Sequence, residues 1–385
     1  MIFKEIEGNK GIKNQLISSV LNNRVSHSQL FLGGKGSAKL AIAIAFAQFI
    51  NCTTKNENDS CGNCDSCVKY NSLTHPDLYL IFPVLTINGI KKPISDNFIF
   101  QWREEILKNP YLNLHDWFNV FSEDNKTGKN GLIYTHEVEN LQSKLALKHY
   151  ESEYRVVIMW MPENMQAKTS NKLLKLLEEP PNKTIFLLVS ENSEQLLNTV
   201  LSRLQITKIT NFSDENIKNY ILKQNNISSK KANTLISYSE GDLGRALRLL
   251  EEEDLYDNHF EEFQSWMRIC YSANIKELTN WTTQRAKKGR QSQSVFLNYS
   301  LKMIRNCLIL NFSTQETLNL DEKENDFLRK FHPFIHEKNI VNISEKIEEC
   351  SRNIERNANT KIIFYELSLQ MMKLLKVNRK FVEIK

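Results

Sequence analysis

The sequence contains no run of about eighteen consecutive apolar residues, the stretch a helix needs to cross a bilayer, which excludes a helical membrane span. Its opening residues, MIFKEIEGNKGIKNQ, lack the basic-then-apolar layout of a secretory signal, so a cytoplasmic protein is expected. No charge sign dominates: 50 basic side chains face 45 acidic ones, for a net charge of +5. That balance fits a solvated, mixed surface and does not by itself argue for nucleic acid. Internal repeats and low-complexity tracts are also missing, which excludes repeat architectures. What remains is a chain of 385 residues, too long for one simple core, with the 41% hydrophobic content of a globular protein of two or three domains.

Cysteine is used unevenly. Of the 7 cysteines, Cys52, Cys61, Cys64 and Cys67 crowd into one short stretch, whereas Cys270, Cys307 and Cys350 are scattered through apolar or helical surroundings and read as small core residues. The spacing C-x8-C-x2-C-x2-C offers four thiolates to a tetrahedral metal, and in a cytoplasmic chain points to zinc rather than to disulfides. Four thiolates leave no open coordination position, so the zinc is expected to be structural. A nucleic-acid-binding knuckle is the competing reading, but CGNCDSC has no basic or aromatic residue between its ligands.

Over the first 210 residues, helical patterns alternate with short apolar runs. Ile12, Leu16, Ile17, Val20 and Leu21 predict an amphipathic helix over 9–23, and Leu40–Ile50 a buried one. Gln29–Leu32, Leu78–Phe82, Arg155–Trp160 and Thr184–Ser190 read as strands, the last three apolar throughout as in a parallel sheet covered on both faces. A helix over Lys168–Glu179 is stopped by Pro180 and Pro181. The alternation predicts an α/β parallel sheet with ligand sites at the strands' carboxyl ends. Beyond residue 211 the pattern is helical: a three-helix unit over 211–252, with Ser213 and Ser229 as N-caps, then an all-α region over 253–385. Its last helix carries Ile362, Ile363, Phe364, Leu367, Met371, Leu374 and Leu375 on one broad face, either core or subunit interface. Residues 84–131, with a possible helix over Phe98–Leu107 and a polar loop at 122–130, yield no functional reading.

Three motifs bear on chemistry. GGKGSAKL, Gly33–Leu40, lies between a strand and a helix and keeps Gly33, Gly36 and Lys39 in register with the phosphate loop G-x-x-x-x-G-K-[ST]. Ala38 replaces the last glycine and Leu40 the magnesium-binding hydroxyl; the alternative is a glycine turn before a helix. Where an active phosphate-loop ATPase ends a strand on two acids, one for magnesium and one for water, this chain has Trp160 and Met161, with Glu163 past the strand end. The third motif is LSRL, Leu201–Leu204, whose arginine is by itself an ordinary surface charge.

Together these segments resemble the bacterial clamp-loader AAA+ family. The similarity runs through HSQLFLGGKGSAKL, the cysteine cluster, HPDLYLIFP (His75–Pro83) and NKLLKLLEEPPNKTIFLLVSENSEQLLNTVLSR (Asn171–Arg203), and returns in NANTKIIFYELSLQMMKLL near the end. The resemblance implies a RecA-like AAA+ domain over 1–210 with an inserted zinc module at 52–67, an all-α lid over 211–252 and an all-α collar over 253–385. Leu40, the Trp160–Met161 pair and Gly244, which stands where motor subunits carry a phosphate-sensing arginine, point to the non-hydrolysing, delta-prime type of subunit rather than to an ATP-hydrolysing motor. Arg245 is one position on, a rotation of about 100° away. Weak nucleotide binding through Lys39 is left open. Ser202–Arg203 matches the family's Ser-Arg-Cys motif with Leu204 for the cysteine, which implies that Arg203 is an arginine finger for a neighbouring motor subunit. A boundary salt bridge is its other reading. The partners so implied are motor subunits and a delta subunit in a hetero-pentamer that places a sliding clamp on primed DNA. A free-standing DNA-binding zinc protein is the third possibility, which nothing in the basic residues favours.

Overall fold

The computed structural model describes residues 1–86, 90–121, 131–224, 241–251, 259–312, 322–355 and 358–377, with single positions between 225 and 240. Its contacts divide into two compact units, Met1–Arg248 and Leu249–Lys385.

The first unit is built on a parallel sheet of β1 (Ser28–Gly33), β2 (Leu78–Ile81), β3 (Arg155–Trp160), β4 (Thr184–Ser190) and β5 (Gln205–Ile209), in the order β2-β3-β4-β1-β5. β3 and β4 are buried at every residue. Their apolar runs reflect helices on both sides, because side chains alternate between faces. Val157, Met159, Phe186 and Leu188 share a core with Val138 and Leu141 of α6 (Thr135–Leu145) and with Leu173 and Leu177 of α7 (Ala167–Glu178). On the other face lies α2 (Lys39–Asn51), buried along its whole length, with Phe46 against Phe31. α1 (Lys10–Leu21) packs on α2.

β5 was not expected from the sequence. In QITKI only Thr207 and Ile209 are buried, so it lacks the continuous apolar run of its neighbours, and its place is fixed by pairing with β1.

The 84–131 segment, to which the sequence gives no functional reading, supplies α4 (Ile99–Lys108) and α5 (Leu114–Asn119). The expected helix at Phe98–Leu107 is present; the polar loop at 122–130 lies outside the described residues. Trp102 of α4 stacks on Phe82 at 4.2 Å and meets Trp160 at 4.8 Å, while Trp117 of α5 donates to the Pro83 carbonyl at 2.8 Å. Ahead of α4, Ser95 Oγ accepts the Phe82 N–H at 3.0 Å, and the Ser95 N–H donates to Glu137 of α6 at 2.6 Å.

After the sheet come α8 (Asn198–Leu201), before β5, and α9 (Asp214–Gln224), capped by Ser213 as expected; the helix Leu243–Glu251 follows. Ser229 lies outside the described residues. Among its described residues the second unit is built of helices and the turns between them, with no strand. Its core includes Trp266 stacked on Trp281, and Arg285, buried over Phe296 and paired with Glu262. Ile363, Phe364, Leu367, Met371 and Leu375 of the last helix are buried within it, and Ile362 is exposed. Cys270, Cys307 and Cys350 are buried, as expected. Among the described residues no helix is long and apolar enough to cross a membrane.

Burial, resisted by the hydrogen bonds from Ser95, lifts the Glu137 carboxyl to about 7. Above the ordinary value of 4.5 the folded chain keeps a proton that the unfolded chain releases, so this group makes stability fall as pH rises from 4.5 toward 7. Glu137→Gln should flatten that slope, which amounts to about 3 kcal/mol across the window. Urea unfolding of both proteins at the two ends of the window checks this, and equal slopes would refute it.

Candidate functional site

The glycine loop Gly33–Leu40, expected from the sequence to be a degenerate phosphate loop, lies at the carboxyl end of β1, where an open parallel sheet binds ligands. Gly36 has φ +62°, a left-handed conformation that favours glycine. Lys39 is buried, and its ammonium is engaged from within the chain: Nζ donates to the Gly34 carbonyl at 2.9 Å and to Glu191 Oε1 at 3.1 Å. Glu191 follows β4, and its N–H donates to Glu163 Oε1 at 2.8 Å. Glu163 thus anchors the residue that holds Lys39, a role no spacing rule would suggest. Burial raises the Glu163 carboxyl, partly offset by that N–H.

The loop is covered from the other side. A Cβ on Gly36 would lie 1.7 Å from Asp242 Oδ1, and one on Gly34 would lie 2.6 Å from Asn211 Oδ1. Asp242 caps the helix Leu243–Glu251 by accepting the Arg245 N–H at 2.7 Å. A carboxylate and an amide therefore face the glycines where a phosphate loop presents its N–H groups to a phosphate. Gly244 has a packing reason of its own: a Cβ there would lie 2.2 Å from the Tyr111 carbonyl, so no larger side chain fits. Tyr111 belongs to the 84–131 segment, as does Asp116, which pairs with Arg248. The Tyr111 ring meets Phe212 and Tyr220 edge-on at 5.5 and 5.6 Å.

Where an active ATPase carries its acids, Trp160 and Met161 are buried. Trp160 packs on Trp102, and Met161 takes a left-handed φ of 55° as the chain leaves β3. An acid at Trp160 would bury an unpaired charge, at a cost of roughly 3 kcal/mol or more. Leu40, in place of the hydroxyl, is also buried.

The four cysteines converge between α2 and α3 (Asp65–Asn71), with all Sγ atoms within 4.8 Å of one another. Cys61 Sγ and Cys67 Sγ lie 3.8 Å apart, about the edge of a tetrahedron with 2.3 Å metal–sulfur bonds. Backbone N–H groups of Cys61, Cys64 and Cys67 donate to the sulfurs of Cys52, Cys61 and Cys64 at 3.3, 3.3 and 3.4 Å. Such donors stabilise thiolates. Burial opposes ionisation of Cys64, yet hydrogen bonds involving Thr53 and the Cys67 N–H outweigh it and draw the thiol down to about 5. This donor set fits a metal ion. Beside it, His75-Pro76-Asp77 is structural: the buried Asp77 accepts the N–H groups of Tyr150, Glu151 and Ser152 at 2.8–2.9 Å, tying the start of β2 to the approach to β3.

Arg203 stands on the surface between α8 and β5. Its Nη1 donates to the Thr199 carbonyl at 2.7 Å and lies 3.3 Å from Ser202 Oγ, and its Nη2 pairs with Glu178 Oε1 at 2.5 Å. None of the loop residues is among these partners. Ser202 is exposed, and its hydroxyl donates to the Thr199 carbonyl at 3.1 Å. The structure thus joins Gly33, Gly36 and Lys39 in one covered loop and the four cysteines in another cluster, with Arg203 on an open surface. Of the partners that define these places, Glu191, Asp242 and Glu178 had no signal in the sequence, and Glu163 was noted only as an acid past the end of its strand.

The delta-prime subunit of DNA polymerase III from Bacillus subtilis (strain 168) is 25% identical over 209 residues, 54% of this chain and 50% of that protein. The gamma subunit of DNA polymerase III from Buchnera aphidicola subsp. Baizongia pistaciae is 28% identical over 256 residues, 65% of this chain and 56% of its own length. The chain thus spans about half the length of these relatives. Among solved structures, a DNA polymerase III gamma subunit-related protein from Thermotoga maritima overlaps 94% of this chain and 100% of its own at 13% identity, with a TM-score of 0.35. The family model described as DNA polymerase III, delta subunit, matches residues 8–213, more than half of the 385 residues. This chain belongs to the DNA polymerase III, delta subunit family.

Proposed function

We propose that this chain is the non-hydrolysing, delta-prime type of clamp-loader subunit, with an AAA+ domain, a lid over 211–252 and a collar over 253–385. In this reading it joins motor subunits and a delta subunit in a hetero-pentamer that places a sliding clamp on primed DNA. The observation that carries it is the pairing of Lys39 with Glu191 beneath a loop whose Gly36 faces the Asp242 carboxylate. Two carboxylates then occupy the surroundings that an anionic nucleotide would need. The buried Trp160 and Met161 point the same way, since neither holds magnesium nor orients water.

Arg203 is the residue we assign to catalysis in trans. Its exposed guanidinium, steadied by Glu178 and the Thr199 carbonyl, would exchange Glu178 for the γ-phosphate charge at a neighbouring subunit's site. Ser202 supports it from the adjacent position. The four cysteines would hold a structural zinc: four sulfurs complete a tetrahedral shell, leaving the metal no position for substrate.

The likeness to gamma subunits keeps the motor reading as the alternative. That reading requires saturable, magnesium-dependent ATP turnover by the purified chain. We expect none, and measurable turnover that Lys39→Ala abolishes would favour the motor. In a complex rebuilt from cognate motor and delta subunits, Arg203→Ala should slow hydrolysis at the one site it serves by roughly a thousandfold, removing a large part of clamp- and DNA-stimulated turnover. Unchanged turnover in an equally assembled complex would sink the finger. Elemental analysis in chelator-free buffer should find one zinc per chain. Cys61→Ser should lower both zinc content and melting temperature, and a wild-type chain well under one equivalent would overturn the zinc assignment.

A further inference from the structure

β2 is an outer strand of the sheet, at the opposite edge from β5. The Val156 N–H donates to the Asp77 carbonyl at 2.9 Å, which sets the phase of the β2–β3 ladder. In a parallel pair with that phase, Tyr79 and Ile81 turn their backbone groups toward β3, while Leu78, Leu80 and Phe82 turn theirs to the open edge. Two of those three are satisfied in part by the chain itself. The Leu78 N–H folds back to the His75 carbonyl at 3.1 Å, and Ser95 Oγ serves both the N–H and the carbonyl of Phe82 at 3.0 and 3.2 Å. Leu80, between them, faces a cavity of about 290 Å³.

That cavity is walled by β2, α4 and α6, with Arg103, Asp96, Asn140 and Lys144 among its lining. Its charges are unevenly matched. Asp96 is engaged by Lys144 at 2.5 Å and Asn140 at 3.2 Å, whereas Arg103 forms no ion pair among the described residues and its buried Nε has no hydrogen-bond partner. Among the described residues Arg103 thus has only the longer-range attraction of Asp96, whose carboxylate Lys144 and Asn140 already engage, and its guanidinium stands beside the strand edge without an ion pair. Tyr150, Phe100 and Leu147, at 81%, 78% and 70% exposure, are the most exposed large apolar side chains among the described residues, and each belongs to a segment that borders β2 or the cavity. Phe100 adjoins the lining residue Ile99, Leu147 follows three residues after Lys144, and the Tyr150 N–H bonds Asp77 at the start of β2. Exposed apolar side chains on segments that meet at one polar groove point to an interaction surface.

We propose that the free edge of β2 receives an extended segment of a partner protein, which adds to the sheet as a further strand through Leu80 and places a carboxylate on Arg103, with Phe100, Leu147 and Tyr150 as its apolar flanks. Main-chain hydrogen bonds to Leu80 supply binding that is indifferent to sequence, and the Arg103 contact selects an acidic segment. This surface lies across the sheet from Arg203, and the inference does not rest on the clamp-loader reading.

Twelve-residue peptides displayed on phage and selected on the full chain provide the probe, with the consensus peptide synthesised for titration. The expected consensus carries Asp or Glu. Its affinity should fall about tenfold or more in Arg103→Gln. Amide exchange at Leu80 should slow when the peptide binds, and N-methylation of alternate peptide bonds should abolish binding. That last arm leaves the protein untouched, so it reads out even if the Arg103 variant folds poorly. Affinity indifferent to Arg103→Gln in a folded variant, unchanged exchange at Leu80, or failure to select any binding peptide would each overturn the proposal. So would a dimer of the chain alone, seen by sedimentation and dissolved by Arg103→Gln, since the edge would then belong to a second copy.

Discussion

The packing of Trp160 on Trp102 is the contact from which most of this unit's character follows. It places an indole at the end of β3, where the sheet would otherwise present an acid, and it draws the 84–131 segment onto the strands' carboxyl ends. Once Trp102 is stacked on Phe82 and Trp117 set edge-on against both, the same segment reaches onward. Tyr111 closes on Gly244 and Asp116 on Arg248, which positions the helix whose capping residue, Asp242, lies over the phosphate loop. On the proposed reading, the missing acid pair and the missing sensing arginine, which look independent in the sequence, are coupled through one aromatic cluster.

Legibility in the sequence followed burial. β3 and β4 fall where their apolar runs put them, residue for residue, because both faces of a central parallel strand must be apolar and the sequence therefore has no choice. α2 was equally plain, being enclosed on all sides. β5 was not, because an edge strand with exposed Gln205, Ile206 and Lys208 satisfies its backbone by pairing alone. In the segment from Ser95 to Phe121 only α4 was expected; the rest was opaque for a different reason, since it takes its order from ring-to-ring contacts with residues far away in sequence, about which periodicity carries no information. The convergence of the four cysteines was readable because the set is local, three cysteines in seven residues and a fourth nearby. The carboxylates that engage Lys39 and Arg203 were not, since each comes from an element distant in the chain.

The buried carboxylates do different work in different places. Asp77 gathers three backbone N–H groups and fixes a turn; Glu163 fixes the residue after β4; Glu137 secures Ser95, which in turn closes one end of the β2 edge. Each is a positioning device reached through main-chain donors, and none needs a partner cation. The charged pairs Lys39–Glu191 and Arg203–Glu178 form the contrasting class, in which a cation suited to phosphate is held by a carboxylate of the same chain. One of these pairs is covered and the other is open to exchange.

The covered pair has a consequence for how the unit's folding is linked to its surroundings. By mass action a folded state gains stability only from what it binds in preference to the unfolded chain. A phosphate loop that receives its counter-charge from Glu191 is neutralised as soon as the polypeptide folds, so on the proposed reading its stability is set by the sequence alone and does not rise or fall with the concentration of ATP. In the proposed assembly, whose other members would gain and lose a ligand at every cycle, such a unit would be a thermodynamic constant, with the same ground state before and after each turnover of its neighbours.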